Sequence, residues 1–328
     1  MAARLRIGLA GLGVHGARYA GHLLRGEIDG AELTAVSRSD AAAGRQFATA
    51  NALDFIADPL SLATHTGLDA VLAVLPPDLH PALALACLDA GRPVLIEKPL
   101  APDAASAARI VHRAAETGTP LLVAQTLRFD PLITRLRKDI AAIGPVRLVA
   151  LNQRFEPSDR AWIDSPGRGG CALNTGVHGF DLLRYLTGAE VISIQAEVRS
   201  AVTSGTDDEL GAVALLEPGG ILAVLDNART TAGRSGRVEI VGARGQLVAD
   251  HVHRTYHRIE GRTLRNLGPV PEVPTVAEAL KAFVRTVRDG VPPVVTAADG
   301  CAAVEIVEAA LLSARLGRRV LVSEVTQR

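Results

Sequence analysis

The first residues whose types and spacing could do chemistry are Gly11-Leu12-Gly13-Val14-His15-Gly16. They follow a short apolar run, Leu5 to Ala10, and open a segment that can be helical, Val14 to Leu24. That setting gives a G-x-G-x-x-G pattern its meaning. The first glycine permits a tight turn, the second lets backbone approach a pyrophosphate, and the third lets the helix pack on the strand. A diphosphate would rest on the helix N-terminus, facing free N–H groups and the positive end of the dipole, with Val14 and His15 beside it. A glycine-rich turn that binds nothing is the competing reading.

The residue that reads a dinucleotide's adenosine ribose belongs at the tip of the next strand, Leu33 to Ser37. An acidic group there binds the 2′-hydroxyl and repels a 2′-phosphate. Here the tip is Ser37, followed by Arg38 and Ser39, and the first carboxylate, Asp40, comes in the helix start. Two hydroxyls flanking an arginine can hold a phosphate through charge-assisted hydrogen bonds, so NADP(H) is favoured over NAD(H). The alternative is that Asp40 caps the helix and Arg38 only stacks on adenine. Leu75-Pro76-Pro77-Asp78-Leu79-His80, Glu97-Lys98-Pro99 and Gln125 to Phe129 each lie where a strand-like run ends. Ligands of doubly wound sheets bind beyond the carboxyl ends of the strands, so these segments should converge with the glycine loop on one crevice. Leu75, Pro76, His80, Glu97, Lys98 and Gln125 are therefore expected beside the cofactor. A strand stop at Pro76-Pro77 and a solvated loop lysine at Lys98 are the plainer readings.

The elements that must position these groups alternate through the first third of the chain. Leu5 to Ala10, Leu33 to Ser37, Ala70 to Leu75, Pro93 to Glu97 and Leu121 to Gln125 read as strands. Val14 to Leu24, Ser39 to Ala50, Leu79 to Ala90 and Ala104 to Glu116 read as helices between them. Such alternation predicts a parallel sheet with right-handed crossovers. After Gln125 the rhythm changes: helices over Pro131 to Ile143 and Val177 to Leu186, and strands over Val146 to Phe155, Val191 to Arg199, Leu210 to Leu216, Ile221 to Ala228, Val238 to Val241 and Leu247 to Ala249. Turns at Gly219-Gly220 and Ala243-Arg244-Gly245 mark hairpins. Two helices, Val276 to Arg288 and Ala302 to Leu316, finish the chain. The expectation is a dinucleotide-binding domain over 1–124 and an α+β domain over 125–328, with an open, mainly antiparallel sheet and last helices free to pack back on the first domain.

Composition excludes several classes. Formal net charge is zero, which gives no pull toward nucleic acid or an anionic membrane. Aromatic residues are only 3%, so the core must be built from Ala, Val, Leu and Ile, as suits buried parallel strands. Arg4 and Arg6 before an apolar run superficially resemble a secretion signal, but Gly11 to Gly16 and Arg18 interrupt it. No apolar stretch approaches the ~20 residues that span a bilayer. Cys87, Cys171 and Cys301 are far apart and odd in number, which fits reduced thiols, no metal site and a cytoplasmic location. His251, His253 and His257 would share a face on a strand, yet no carboxylate or cysteine spacing supports a metal there.

The order of these pieces resembles the glucose-fructose oxidoreductase / inositol dehydrogenase / MocA family. Four features carry the resemblance: the glycine motif, the strand ending in Pro76-Pro77 with His80, Glu97-Lys98-Pro99, and Gly169-Gly170-Cys171-Ala172-Leu173-Asn174-Thr175-Gly176-Val177-His178-Gly179-Phe180-Asp181. The resemblance implies a Rossmann domain followed by a C-terminal domain with an open sheet, dimers or tetramers built through that sheet face, and oxidation or reduction of a carbinol or carbonyl on a sugar, polyol or related cyclic compound. It implies that Lys98 lies near nicotinamide and substrate, that His178 is the acid/base, and that the Lys98–Pro99 peptide is cis. The family often has Asp four residues before the histidine; here it is Asn174, which can hydrogen-bond a hydroxyl but cannot take its proton. Proton transfer then falls on His178. Asn174, Arg128, Arg154 and Trp162 are candidates to line the substrate pocket, where structural polarity would explain them nearly as well. Two other functions fit the same fold: a ligand-sensing or scaffold protein without chemistry, against which Lys98 and His178 argue, and a glycosidase using NAD for transient oxidation.

Overall fold

The computed structural model describes residues 4–157, 170–200 and 207–326. Trp162, one of the candidate substrate-pocket residues, lies outside them. The chain divides into two compact units. The first comprises residues 1–101, 106–126 and 274–301, and the second 102–105, 127–273 and 302–328.

The first unit is built on a six-stranded parallel sheet. Its strands are β1 (Leu5–Ala10), β2 (Ala31–Ser37), β3 (Asp54–Phe55), β4 (Ala70–Ala73), β5 (Val94–Glu97) and β6 (Leu121–Ala124), in the order β3-β2-β1-β4-β5-β6. The helices between them are α1 (Val14–Leu24), α2 (Ala41–Ala50), α3 (His80–Asp89) and α4 (Ala104–Thr117). All four residues of β4, β5 and β6 are buried, as a sheet covered on both faces requires. Fully burying one such Leu or Val side chain contributes roughly 1.5–3 kcal/mol. The order of connections reverses at β1, between β2 and β4, which is where a doubly wound sheet opens a crevice.

The second unit carries a nine-stranded sheet. Its strands are β7 (Val146–Arg154), β8 (Glu190–Arg199), β9 (Glu209–Glu217), β10 (Ile221–Ala228), β11 (Arg237–Gly242), β12 (Gly245–Asp250), β13 (Thr255–Glu260), β14 (Thr263–Asn266) and β15 (Val320–Leu321). The order is β14-β13-β12-β11-β7-β10-β9-β8-β15, antiparallel throughout except for the β7–β10 pair. The helices α5 (Pro131–Asp139), α6 (Val177–Thr187) and α8 (Ala297–Leu316) contribute Leu132, Leu136, Phe180, Leu183, Ile306 and Val307 to one core with Val149, Leu225 and Ile240 of the sheet. Helix α7 (Thr275–Asp289) falls in the first unit, against α1. Burial alternates along β9 and β10, so one sheet face is packed and the other open. On the open face Val213, Leu222 and Val224 are exposed, beside a shallow groove of about 500 Å³ lined by Ser193, Gln195, Glu197 and Arg319.

All three cysteines are reduced and buried. Burial pushes the Cys87 and Cys171 thiols up to about 12. His251 and His253 fall in the turn before β13 and His257 on the strand itself, so the three share no strand face; His253 instead meets Asp250 at 3.0 Å. No helix among the described residues is long and apolar enough to cross a membrane.

Candidate active site

The glycine loop joins β1 to α1. Gly11 has φ +95, donates its N–H to the Ser37 carbonyl at 3.0 Å, and would set a Cβ 2.0 Å from the Val74 carbonyl oxygen. Only glycine can hold that turn. A Cβ on Gly16 would lie 1.9 Å from the Gly11 carbonyl oxygen, whereas one on Gly13 would meet nothing within 4 Å. The middle glycine therefore faces open space. Gly13 stands at the N-cap of α1 and offers no side-chain cap, and the first turn of the helix has no acidic residue. An anion would find unblocked N–H donors and no repelling carboxylate on this turn.

At the same sheet edge, one buried carboxylate gathers three partners. Glu97 Oε1 accepts from Tyr19 Oη at 2.5 Å and lies 2.8 Å from His15 Nε2; Oε2 accepts the Lys98 backbone N–H at 3.1 Å. Burial alone would raise the Glu97 pKa, but His15, Lys98 and Tyr19 together hold it down at about 2. Glu97 is therefore an ionised, buried group that ties α1 to the residue after β5. The Lys98–Pro99 peptide is cis. His80, fully buried, sits with Nδ1 2.8 Å from the Pro99 carbonyl, and burial lowers its pKa so that it is neutral at pH 7. It braces the Lys98–Pro99 turn from within instead of lining an open edge. Gln125, just past β6, is 1% exposed, and neither atom of its amide has a hydrogen-bond partner.

The Glu97 cluster carries a pH signature. Its folded pKa lies below the 4.5 of a free glutamate, so its stabilisation is complete above pH 4.5 and is lost as pH falls toward 2. The full effect is about 3 kcal/mol. Urea unfolding followed between pH 6 and 3 should show this slope, and Glu97→Gln should flatten it while lowering stability at neutral pH. An unchanged slope in the variant would assign the acid sensitivity elsewhere.

In the second unit a helical turn begins at Gly170, widens into a π-helical stretch at Ala172–Gly176, and continues as α6. Asn174 lies on the wide turn and His178 in the first turn of α6, both half-buried. Such π-bulges interrupt the i→i−4 ladder and recur at functional sites. The turn is capped from a distance: Asp207 takes the Ala172 N–H on its carboxylate and the Cys171 N–H on its carbonyl, each at 2.6 Å. Burial raises the Asp207 pKa, opposed by the Ala172 N–H. Gly170, at φ +85, leaves room for that carboxylate, since a Cβ there would lie 2.0 Å from Asp207 Oδ1. Asn174 Nδ2 donates to the Gly170 carbonyl at 3.2 Å. Gly179 lets α6 press on β10, where a Cβ would come within 2.4 Å of Leu225 Cδ1.

Comparison with known proteins gives this arrangement its context. The family profile described as "Oxidoreductase family, NAD-binding Rossmann fold" matches residues 5–125, and the "GFO/IDH/MocA C-terminal domain" matches 135–248. The chain is 30% identical to an inositol 2-dehydrogenase 2 of Saccharopolyspora erythraea over 95% of its own length and 94% of that protein. The chain belongs to the GFO/IDH/MocA oxidoreductase family. It is 35% identical to an inositol 2-dehydrogenase 1 of the same organism over 58% of this chain and 56% of that one. A crystal structure of a probable dehydrogenase from Thermotoga maritima superposes with a TM-score of 0.85 at 29% identity, covering 98% of this chain and 100% of that one. The family fold, a Rossmann sheet with a mainly antiparallel second sheet, is the one expected from the sequence.

Within this GFO/IDH/MocA chain the expected site residues divide between the units. Gly11 to Gly16, Ser37, Arg38, Leu75, Pro76, His80, Glu97, Lys98 and Gln125 belong to the first, and Arg128, Arg154, Asn174 and His178 to the second. Arg128 is buried, with Nε and Nη2 on the two Asp181 oxygens at 2.9 and 2.6 Å and its guanidinium over the Tyr185 ring at 5.0 Å. It anchors α6. Arg154 makes a partly exposed bidentate pair with Asp226, at 2.7 and 3.0 Å. Trp162 falls outside the described residues. Tyr19 went unnoticed in the sequence, and Asp207 reads there only as part of an acidic run, Asp207-Asp208-Glu209, most simply a loop before a strand. Tyr19 stands one helical turn after His15, a spacing that could have shown it; Asp207 lies 35 residues from the backbone it caps and left no local signal.

Proposed function

We propose that this protein oxidises a ring carbinol of a polyol or sugar, or reduces the corresponding ketone, with NADP(H) favoured over NAD(H). Family membership, together with relatives named inositol 2-dehydrogenases, supports the substrate class. The observation that carries the reading is the capped π-turn presenting His178 beside an Asn174 that cannot take a proton. His178 accepts the hydroxyl proton, or returns it in reduction. Lys98, whose backbone is fixed by Glu97, steadies the substrate oxygen as negative charge grows on it. The glycine loop and α1 hold the diphosphate, and the buried Gln125 amide offers both a donor and an acceptor to a carboxamide. Bound there, the nicotinamide supplies the hydride acceptor or donor.

The 2′-phosphate preference rests on Arg38. Asp40 already accepts the Ala43 N–H at 3.1 Å as the cap of α2, and Ser37 is 2% exposed. Arg38 and the exposed Ser39 are then the polar groups at the strand tip. Incubation with inositols, aldoses and their keto forms, each with NADP⁺ or NAD⁺ or the reduced forms, should change absorbance at the reduced-nicotinamide band, faster with the phosphorylated cofactor. No turnover on any polyol would remove the substrate reading, and a clear preference for NAD⁺ would remove the role of Arg38. We place the reaction in the cytoplasm, in keeping with three reduced thiols. Two copies pair through the open sheet face around Val213, Leu222 and Val224; sedimentation of a monomer at all workable concentrations would reject this.

A further inference from the structure

We propose that Arg229 is a specificity residue whose guanidinium takes a carboxylate on the substrate, so that the sugar or polyol oxidised here is an acid. The inference rests on the reading of the π-turn as the substrate side of the reaction, and deepens it by naming the substrate's charge. The packed face of the second sheet is apolar along β10 until its last turn inward: Ile221, Ala223 and Leu225 point in, and then Asn227. Extended backbone continues past β10. Phe155 donates its N–H to the Ala228 carbonyl, and Arg229 donates its own to the Asp208 carbonyl, each at 2.9 Å. The alternation therefore sets Arg229 on the packed face next after Asn227. Gln153 stands opposite Asn227 on β7. These three polar residues gather at one end of an apolar face, with Gln153 and Asn227 each 2% exposed and Arg229 9%.

The π-turn lies against this end. Cβ atoms on Gly176 and Gly179 would stand 3.9 and 4.0 Å from Asn227 Oδ1, so the helix presents bare backbone to that amide. Arg229 sits toward the start of the turn. Its charge there opposes the burial that raises the Cys171 thiol and the Asp207 carboxyl. Asn174 folds back to the same place, with Nδ2 on the Gly170 carbonyl at 3.2 Å. The polar end of the sheet and the residues leading to His178 thus share one neighbourhood within the second unit.

Protein partners do not account for these groups. Neither atom of the Asn227 amide has a hydrogen-bond partner. Among the described residues the Arg229 guanidinium makes no hydrogen bond and no ion pair. Arginine is almost never buried without a partner, and buried polar groups left unpaired mark places where something else completes them. Asp207 does not serve, because its carboxylate caps the turn through the Ala172 N–H at 2.6 Å. Glu209 takes the Thr230 hydroxyl at 2.9 Å. A substrate carboxylate supplies the match, since its two oxygens fit the planar guanidinium fork. Asp207 and the buried Asp208 then set the limit. They tolerate one negative group in contact with Arg229, where attraction is strongest, and oppose a dianion such as a phosphate ester.

The test compares matched substrates at saturating NADP⁺ or NAD⁺: D-glucose with D-glucuronate and D-glucose 6-phosphate, D-galactose with D-galacturonate, and myo-inositol as a neutral polyol. Wild type, Arg229→Gln and Arg229→Lys are assayed on the full chain. Wild type should favour each uronate over its neutral partner by about tenfold or more in kcat/KM, with the phosphate ester the poorer anion. Added salt should raise KM for the uronates more than for the neutral compounds. Arg229→Gln should shrink the uronate-to-neutral ratio by about 30-fold, through KM more than kcat, and lysine should restore part of it. Should Arg229→Gln fail to fold, the wild-type ratio and its salt dependence still decide. A wild type that favours the neutral compounds, a preference for the phosphate ester, or a glutamine variant that slows uronate and neutral sugar alike would each overturn the inference and leave the oxidoreductase reading standing. Turnover of none of these compounds with either cofactor would remove that reading and the inference with it.

Discussion

His178→Ala should lower turnover by a factor on the order of 10² or more while the protein still binds nicotinamide cofactor. The expectation comes from the chemistry around the residue. An alcohol cannot lose hydride cheaply while its proton stays in place, and a positioned base is the usual remedy. Asn174, the neighbouring polar group one turn earlier, has no basic atom. The loss should fall on kcat more than on KM, because a proton acceptor acts in the transition state. His178→Gln, which keeps a hydrogen-bonding group without a base near pH 7, should be no better than alanine. Asp207 takes two backbone N–H groups of this turn and Arg128 pairs with Asp181 further along α6, so the fold should survive. Turnover within a few-fold of wild type would reject the role of His178.

Lys98→Met is expected to reduce kcat/KM by a factor on the order of 10² to 10³. Methionine keeps the length and apolar stem of lysine and removes the charge that we propose steadies the substrate oxygen. The lysine backbone is held by Glu97 Oε2, and the following turn is braced by His80 on the Pro99 carbonyl. The substitution should therefore leave folding and the glycine loop intact, as equilibrium unfolding and cofactor titration can check. Lys98→Arg should recover little, since a planar fork does not replace a compact ammonium as a point charge. A Lys98→Met protein with unimpaired kcat/KM would show that the oxygen is stabilised by something else.

Much of the fold was legible because its signals are local. Most of the parallel strands announce themselves as short runs rich in Val, Leu, Ile and Ala, the first stopped by Gly11 and the run through β4 by Pro76, and Leu5–Ala10, Val14–Leu24 and Ile221–Ala228 have the bounds read from sequence. Strands without such a run were missed. β3 and β15 are two residues each, while β13 and β14, Thr255–Glu260 and Thr263–Asn266, carry polar groups on both faces and show no clean alternation. The start of α6 was read at Val177 because the preceding Gly169-Gly170 looks like loop; the helical turn begins at Gly170 because Asp207 supplies a cap that no nearby residue could. The same limit explains the site. Glu97 and His15 could each be named from a motif, but their contact spans 82 residues and exists only once β1 and β5 flank β4.

The buried thiols bear on how the protein can be studied. With Cys87 and Cys171 protonated far above neutral pH and all three cysteines shielded from solvent, maleimides and iodoacetamide have no ready nucleophile on the native chain. A single reporter cysteine introduced on an exposed helix, Ala17→Cys on α1 for instance, can then carry a fluorophore or spin label without first stripping the wild-type residues.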